Sequence, residues 1–200
     1  MGGVVIACSA MARCGVYPGS FNPPTVAHIE VARAAVTSRG LDRLDLMVSR
    51  VALVKGPVAI PTLAERVSVL EAIAERIEWL EVVVTEAQLL VEMAEGYDVL
   101  VMGADKWHQI QDPVFYGGSI GERDRAMARL PEVAVAPRAG FGIPEGMGLD
   151  LDADLGVVSS TAVRDGRHDW MHPVAAEFDR RTGAWTDPTR YARLAAGRMG

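Results

Sequence analysis

The sequence predicts an α/β fold: a Rossmann-like, doubly wound parallel sheet with helices on both faces, in a single domain. Three observations predict it. Short apolar runs alternate with helical patterns along most of the 200 residues, the arrangement that builds parallel sheets. Asp98–Met102 (Asp-Val-Leu-Val-Met) is apolar without interruption after its first residue, as a strand covered on both faces requires. Three marked turns, Gly19 to His28, Gly103 to Asp105 and Ser159 to Arg164, follow strands. They should meet at the carboxyl edge of the sheet, where such sheets bind ligands.

Taken in order, residues 1–10 read as an N-terminal extension, and Ala12 to Tyr17 as the first strand, broken by Pro18-Gly19. Pro24 suits a first helical turn, where its missing N–H costs nothing. Thr25 to Thr37 carries Val26, Ile29 and Val31 at helical spacing, and Arg39-Gly40 supplies the stop. Leu44 to Ser49 is the second strand, and Arg50 to Pro61 a loop containing Lys55. Thr62-x-x-Glu65 is a capping box that opens a helix to about Glu78. A third strand follows at Leu80 to Thr85, then a helix at Glu86 to Glu95 ended by Gly96, then the fourth strand. Lys106 to Gly121 reads as loop, Glu122 to Leu130 as helix, Glu132 to Ala136 as the fifth strand, and Gly140 to Gly148 as a surface loop. Leu155 to Val158 reads as a last short strand, and two short helical stretches in 167–200 complete the same domain.

Composition narrows the class. Half the residues are hydrophobic and the net charge is −6, so there is no general basic footprint for nucleic acid. Of twenty basic residues only Lys55 and Lys106 are lysines. No window is long and apolar enough to predict a membrane span, and Val5-Ile6-Ala7-Cys8 lacks the basic start and apolar length of a signal. Cys8 and Cys14 are too few for a disulfide framework, so reduced thiols in a cytoplasmic protein are expected. Asp150-x-Asp152-x-Asp154 lacks the Gly and distal Glu of a calcium loop, and His168 and His172 lack a third zinc ligand. No metal site is expected from the protein's own residues.

The chemistry concentrates in Gly15 to His28. A strand–turn–helix aims free N–H groups and the positive end of a helix dipole at one spot, which favours phosphate. Thr25 and His28, three apart, share a face there. Gly19-Ser20-Phe21-Asn22-Pro23 followed by Thr25-x-x-His28 resembles the N-terminal signature of the nucleotidylyltransferase superfamily, and its wording is most similar to the nicotinate/nicotinamide mononucleotide adenylyltransferases. Val158-Ser159-Ser160-Thr161-Ala162-Val163-Arg164 resembles the same superfamily's C-terminal motif, and Gly103-Ala104-Asp105 the segment after its fourth strand. The resemblance spans roughly 12–166, giving a nucleotidylyltransferase domain at 11–166. It thins between Lys106 and Gly121 and is absent from the tail.

The resemblance implies adenylyl transfer from ATP to a phosphorylated acceptor without a covalent intermediate. Alignment of two anions and stabilisation of charge on the transferring phosphorus would carry the rate. It implies Thr25, His28 and Arg164 as catalytic residues. Gly19, Ser20, Phe21, Lys55, Ser159, Ser160 and Thr161 would hold phosphates, and Gly103 and Asp105 the adenosine side. Arg66 and Trp107 are candidates for the acceptor. Magnesium would arrive with ATP. Nicotinate or nicotinamide mononucleotide is the acceptor the wording favours. Phosphopantetheine, a flavin phosphate, cytidylyl transfer and a non-catalytic nucleotide-binding module stay open, as does self-association.

Overall fold

The computed structural model describes residues 12–50 and 61–197. The expected extension at 1–10, Lys55 and nearly all of the loop that carries it lie outside the described residues. Strands β1 (Cys14–Pro18), β2 (Arg43–Ser49), β3 (Leu80–Thr85), β4 (Val99–Gly103) and β5 (Glu132–Ala136) form one sheet, every pair parallel, in the order β3-β2-β1-β4-β5. The expected parallel sheet is therefore present. β1 sits at its centre, paired with β2 from Cys14 opposite Arg43 and with β4 at Gly15 opposite Val99.

Alternation along the strands splits the core into two layers. One face buries Leu44, Leu46, Val48, Val99 and Val101 against α1 (Val26–Arg39), α2 (Leu63–Ala74) and the tail helices α7 (Pro173–Thr182) and α8 (Pro188–Gly197). The other buries Val16, Met47, Leu100, Met102 and Val135 against α3 (Leu90–Met93), α4 (Ala104–Gln109) and α5 (Ile120–Met127). β1 and β4 are buried along nearly their whole length, which explains their uninterrupted apolar sequence.

Several local readings hold. Thr62 and Glu65 form the reciprocal capping box at α2, with the Glu65 amide donating to Thr62 Oγ1 at 3.2 Å and the Thr62 amide to Glu65 Oε2 at 3.1 Å. Gly40 ends α1 in the left-handed region at φ 59°. Others are corrected. Leu155 to Val158 is no strand; Ala153–Val157 forms a 3-10 turn capped by Asp152, whose Oδ1 accepts from the Asp154 amide. The helix expected at Glu86 to Glu95 is the single turn α3. The loop expected at Lys106 to Gly121 contains most of α4 and a 3-10 turn at Pro113–Tyr116, because no proline interrupts Ala104 to Asp112. Pro24 precedes the helix, and Thr25 is its N-cap. Cys14 is disulfide-bonded, against the expected reduced thiol. Among the described residues no helix is long and apolar enough to cross a membrane.

Candidate active site

β1 feeds the turn Gly19 to Thr25 at the carboxyl edge, beside the point where the chain's strand order reverses between β1 and β4. The Gly19 amide donates to Met47 O at 3.0 Å and so anchors the turn on β2. Phe21 adopts φ 43° and buries its ring under the turn. A Cβ on Gly19 would stand 2.8 Å from that ring, so only glycine fits there without moving Phe21.

The helix start is closed by an unusual capping box in which histidine takes the N3 position. The Thr25 amide donates to His28 Nδ1 at 2.9 Å, and Thr25 Oγ1 accepts from the His28 amide at 3.4 Å while lying 2.8 Å from Nδ1. Because Nδ1 accepts a backbone N–H, the hydrogen-bond pattern assigns the neutral ring's proton to Nε2. The imidazole sits among Phe21 at 5.1 Å and Tyr17 at 6.2 Å between ring centroids. Desolvation in this apolar setting, with the Arg138 charge adding, pulls its pKa from 6.5 to about 3. Although one edge of the residue reaches solvent, the ring is held neutral. Tyr17 is likewise kept protonated, its phenol pushed up to about 12 by burial.

A titration follows from this shift. Between pH 6.5 and about 3 the unfolded chain protonates His28 and the folded chain does not. The unfolded state then binds more protons, and stability falls as pH drops through that window, by at most about 1.4 kcal/mol per unit. His172 is lowered too, by burial and Arg76, and acts in the same direction. Thermal unfolding of wild type and His28→Gln from pH 7 to 4.5 should therefore show a steeper loss for wild type. Parallel curves would contradict the burial of His28.

The three turns converge through a chain of contacts. A Cβ on Gly103 would lie 2.5 Å from Asp105 Oδ1 and 3.2 Å from Arg138 Nε, so both side chains crowd that backbone. Arg138 pairs with Asp105 at 3.7 Å and donates to Val158 O. Ser160 Oγ donates to Pro23 O at 2.7 Å, and Arg164 donates to Asn22 O and, at 3.3 Å, to Thr161 Oγ1. Ser159 caps α6 (Ser160–Arg164), its Oγ accepting from the Ala162 amide at 3.1 Å. Thr25, His28, Gly19 to Phe21, Gly103, Asp105 and Ser159 to Arg164 thus belong to one connected region. Much of the hydroxyl and guanidinium capacity of 160–164 is directed at the turn itself.

Arg66 and Trp107 behave differently. Arg66 is 5% exposed and donates from one terminal nitrogen to Ser20 O at 2.8 Å. It lies beneath the phosphate-type turn and away from solvent, and burial lowers its pKa. Trp107, on α4, packs part-buried against the core of the β4–β5 face. Sequence reasoning missed Arg138. A basic residue two positions after the fifth apolar run, at the sheet's carboxyl edge, was the available signal. It also missed Phe141, 45% exposed, whose amide donates to Arg138 O and whose ring meets His108 at 5.6 Å.

A parallel α/β sheet whose central strand delivers a Gly-Ser-Phe-Asn-Pro turn and a Thr–His-capped helix is the frame of nucleotidyltransferases. The chain belongs to the cytidylyltransferase-like family, whose model matches residues 16–166. Among solved structures it is similar to the nicotinic acid mononucleotide adenylyltransferase of Plasmodium falciparum, in a complex with APC and in one with NaAD. Each matches with a TM-score of 0.64 at 14% identity, covering 87% of this chain and 97% of that one. At that identity the likeness is one of fold. No curated protein sequence matches significantly.

Proposed function

We propose that the protein transfers the adenylyl group of ATP to the phosphate of nicotinate or nicotinamide mononucleotide. A phosphate oxygen of the mononucleotide attacks the α-phosphorus, the bond to the β-phosphate oxygen breaks, and pyrophosphate leaves with that electron pair. The observation that carries this reading is the Thr25–His28 box, which holds a neutral imidazole with Nε2–H as donor at a helix start. Such a donor stabilises charge growing on the α-phosphate without itself being consumed. The turn amides of Ser20 and Phe21 and the hydroxyls of Ser159 and Thr161, which accept within their own helix and keep their protons, serve the other phosphates, while Ser160 and Arg164 hold Pro23, Asn22 and Thr161 in place around them. Lys55 is assigned to the phosphates by its motif position alone.

Arg138 and Asp105 face the adenosine or acceptor side. Phe141, half-exposed in the Arg138 loop, offers an open aromatic face to the acceptor ring, whereas Trp107 gives part of its ring to the core. Magnesium enters with the triphosphate. A single carboxylate such as Asp105 suits an ion that keeps most of its ligands as water and phosphate, and among the described residues no cluster of three His, Cys, Asp or Glu could hold a metal.

Pyrophosphate release with magnesium and ATP, with nicotinate and nicotinamide mononucleotide in parallel and CTP in place of ATP as a third arm, tests the reading. Release with either mononucleotide and ATP is the expected result, and the ratio names the acceptor. ATP binding without release in any arm would overturn it.

A further inference from the structure

The match to the family ends at residue 166, yet the segment beyond it grips the family's signature turn. Asn22, 8% exposed, receives a hydrogen bond on Oδ1 from Trp185 Nε1 at 2.6 Å, across 163 residues of sequence. The indole is itself 4% exposed. Its backbone is fixed by Asp179, a buried carboxylate whose Oδ1 accepts from the Trp185 amide at 2.7 Å and from the Thr186 amide at 3.2 Å. The Thr186 hydroxyl donates to Asp179 Oδ2 at 2.5 Å. Two further contacts reinforce the grip: the His172 amide donates to Pro24 O at 3.0 Å, and Met171 bridges to Thr25, the catalytic N-cap.

We infer that Trp185, oriented by Asp179, is a positioning residue for the phosphate-binding turn, acting through the Asn22 side chain. The inference rests on the proposed adenylyl transfer for its kinetic readout. The chemistry supports positioning over simple packing. A phenylalanine would bury similar apolar surface in the same place, so tryptophan's distinguishing contribution is one N–H aimed at one buried acceptor. That acceptor lies in the turn that carries Phe21 and leads into Thr25 and His28, and a displacement of about 1 Å there can cost on the order of a hundredfold in rate.

Trp185→Phe tests it, read in two independent ways. The first is kcat and the ATP KM at 25 °C on protein whose folded fraction is fixed by circular dichroism. We expect kcat to fall at least about tenfold with the KM for ATP changed less than about threefold. The second is amide hydrogen exchange, which needs no turnover: residues 19–28 should exchange about tenfold faster while β4 stays protected as before. Turn protection that falls only in step with β4, or kcat within twofold of wild type, would overturn the inference. Should Trp185→Phe fail to fold, Asp179→Asn keeps the side-chain volume and an acceptor oxygen, and the same two readouts apply with the same outcomes. If wild type releases no pyrophosphate with either mononucleotide, the functional reading fails by itself, and the exchange result alone decides the role of Trp185.

Discussion

His28→Ala is expected to lower the rate of pyrophosphate release by about 10²–10³-fold, the usual loss when one preorganised donor to a developing charge is removed. The variant should still fold. His28 contributes one reciprocal cap bond to the Thr25 amide, and loss of a cap costs about 0.5–2 kcal/mol. The ring's other contacts are Thr25 Oγ1 and the rings of Phe21 and Tyr17, both buried residues. Because the imidazole is neutral in the free protein, kcat/KM should show no ionisation near pH 6.5 that disappears in the variant. Equal release by variant and wild type, at equal folded concentration, would remove His28 from the chemistry.

Arg66→Met is expected to raise the KM for ATP about tenfold while leaving the melting temperature unchanged or higher. The two halves have opposite physical origins. The guanidinium is buried, makes one bond to a neutral carbonyl, has its Nε without a hydrogen-bond partner, and pairs with no carboxylate among the described residues. A charge in that setting costs stability, and an apolar side chain of similar volume is often neutral or better. The positive potential it places under Ser20 is useful only when a polyanion sits on the turn above, at low local dielectric, where one charge is worth about a factor of ten or more. A melting temperature lowered by more than about 5 °C with an unchanged KM would show that Arg66 merely fills the core.

What could be read from residues alone follows from how local each signal is. Thr62-x-x-Glu65 and Arg39-Gly40 named their helix ends because caps are decided within four residues. The β4 run announced burial on both faces because its neighbours on each side are apolar. Leu155 to Val158 misled for the converse reason. Four apolar-looking residues carry no period, and the Asp152 cap settles the backbone as a 3-10 turn. In the site, Thr25 and His28 were legible from their spacing. Arg66 was visible as a basic residue, but its burial was not, since a capping box tells where a helix starts and not which side faces in. Trp185 was not legible, and Arg138 only as a basic residue just past the fifth apolar run. Their roles come from contacts with Val158 and Asn22, 20 and 163 residues away, and no periodicity encodes such pairs.

The Asn22–Trp185 hydrogen bond also bears on the order in which this protein is assembled. During synthesis the turn at Gly19 to Thr25 leaves the ribosome early, and its partner follows 163 residues later. At about 5–20 residues per second that is on the order of ten seconds or more in which β1 and β2 can pair while the turn, anchored on β2, still lacks its tether to the tail. Closing so long a segment is a late and entropically costly event. The nascent chain thus pairs its first strands well before the tail can close over the signature turn.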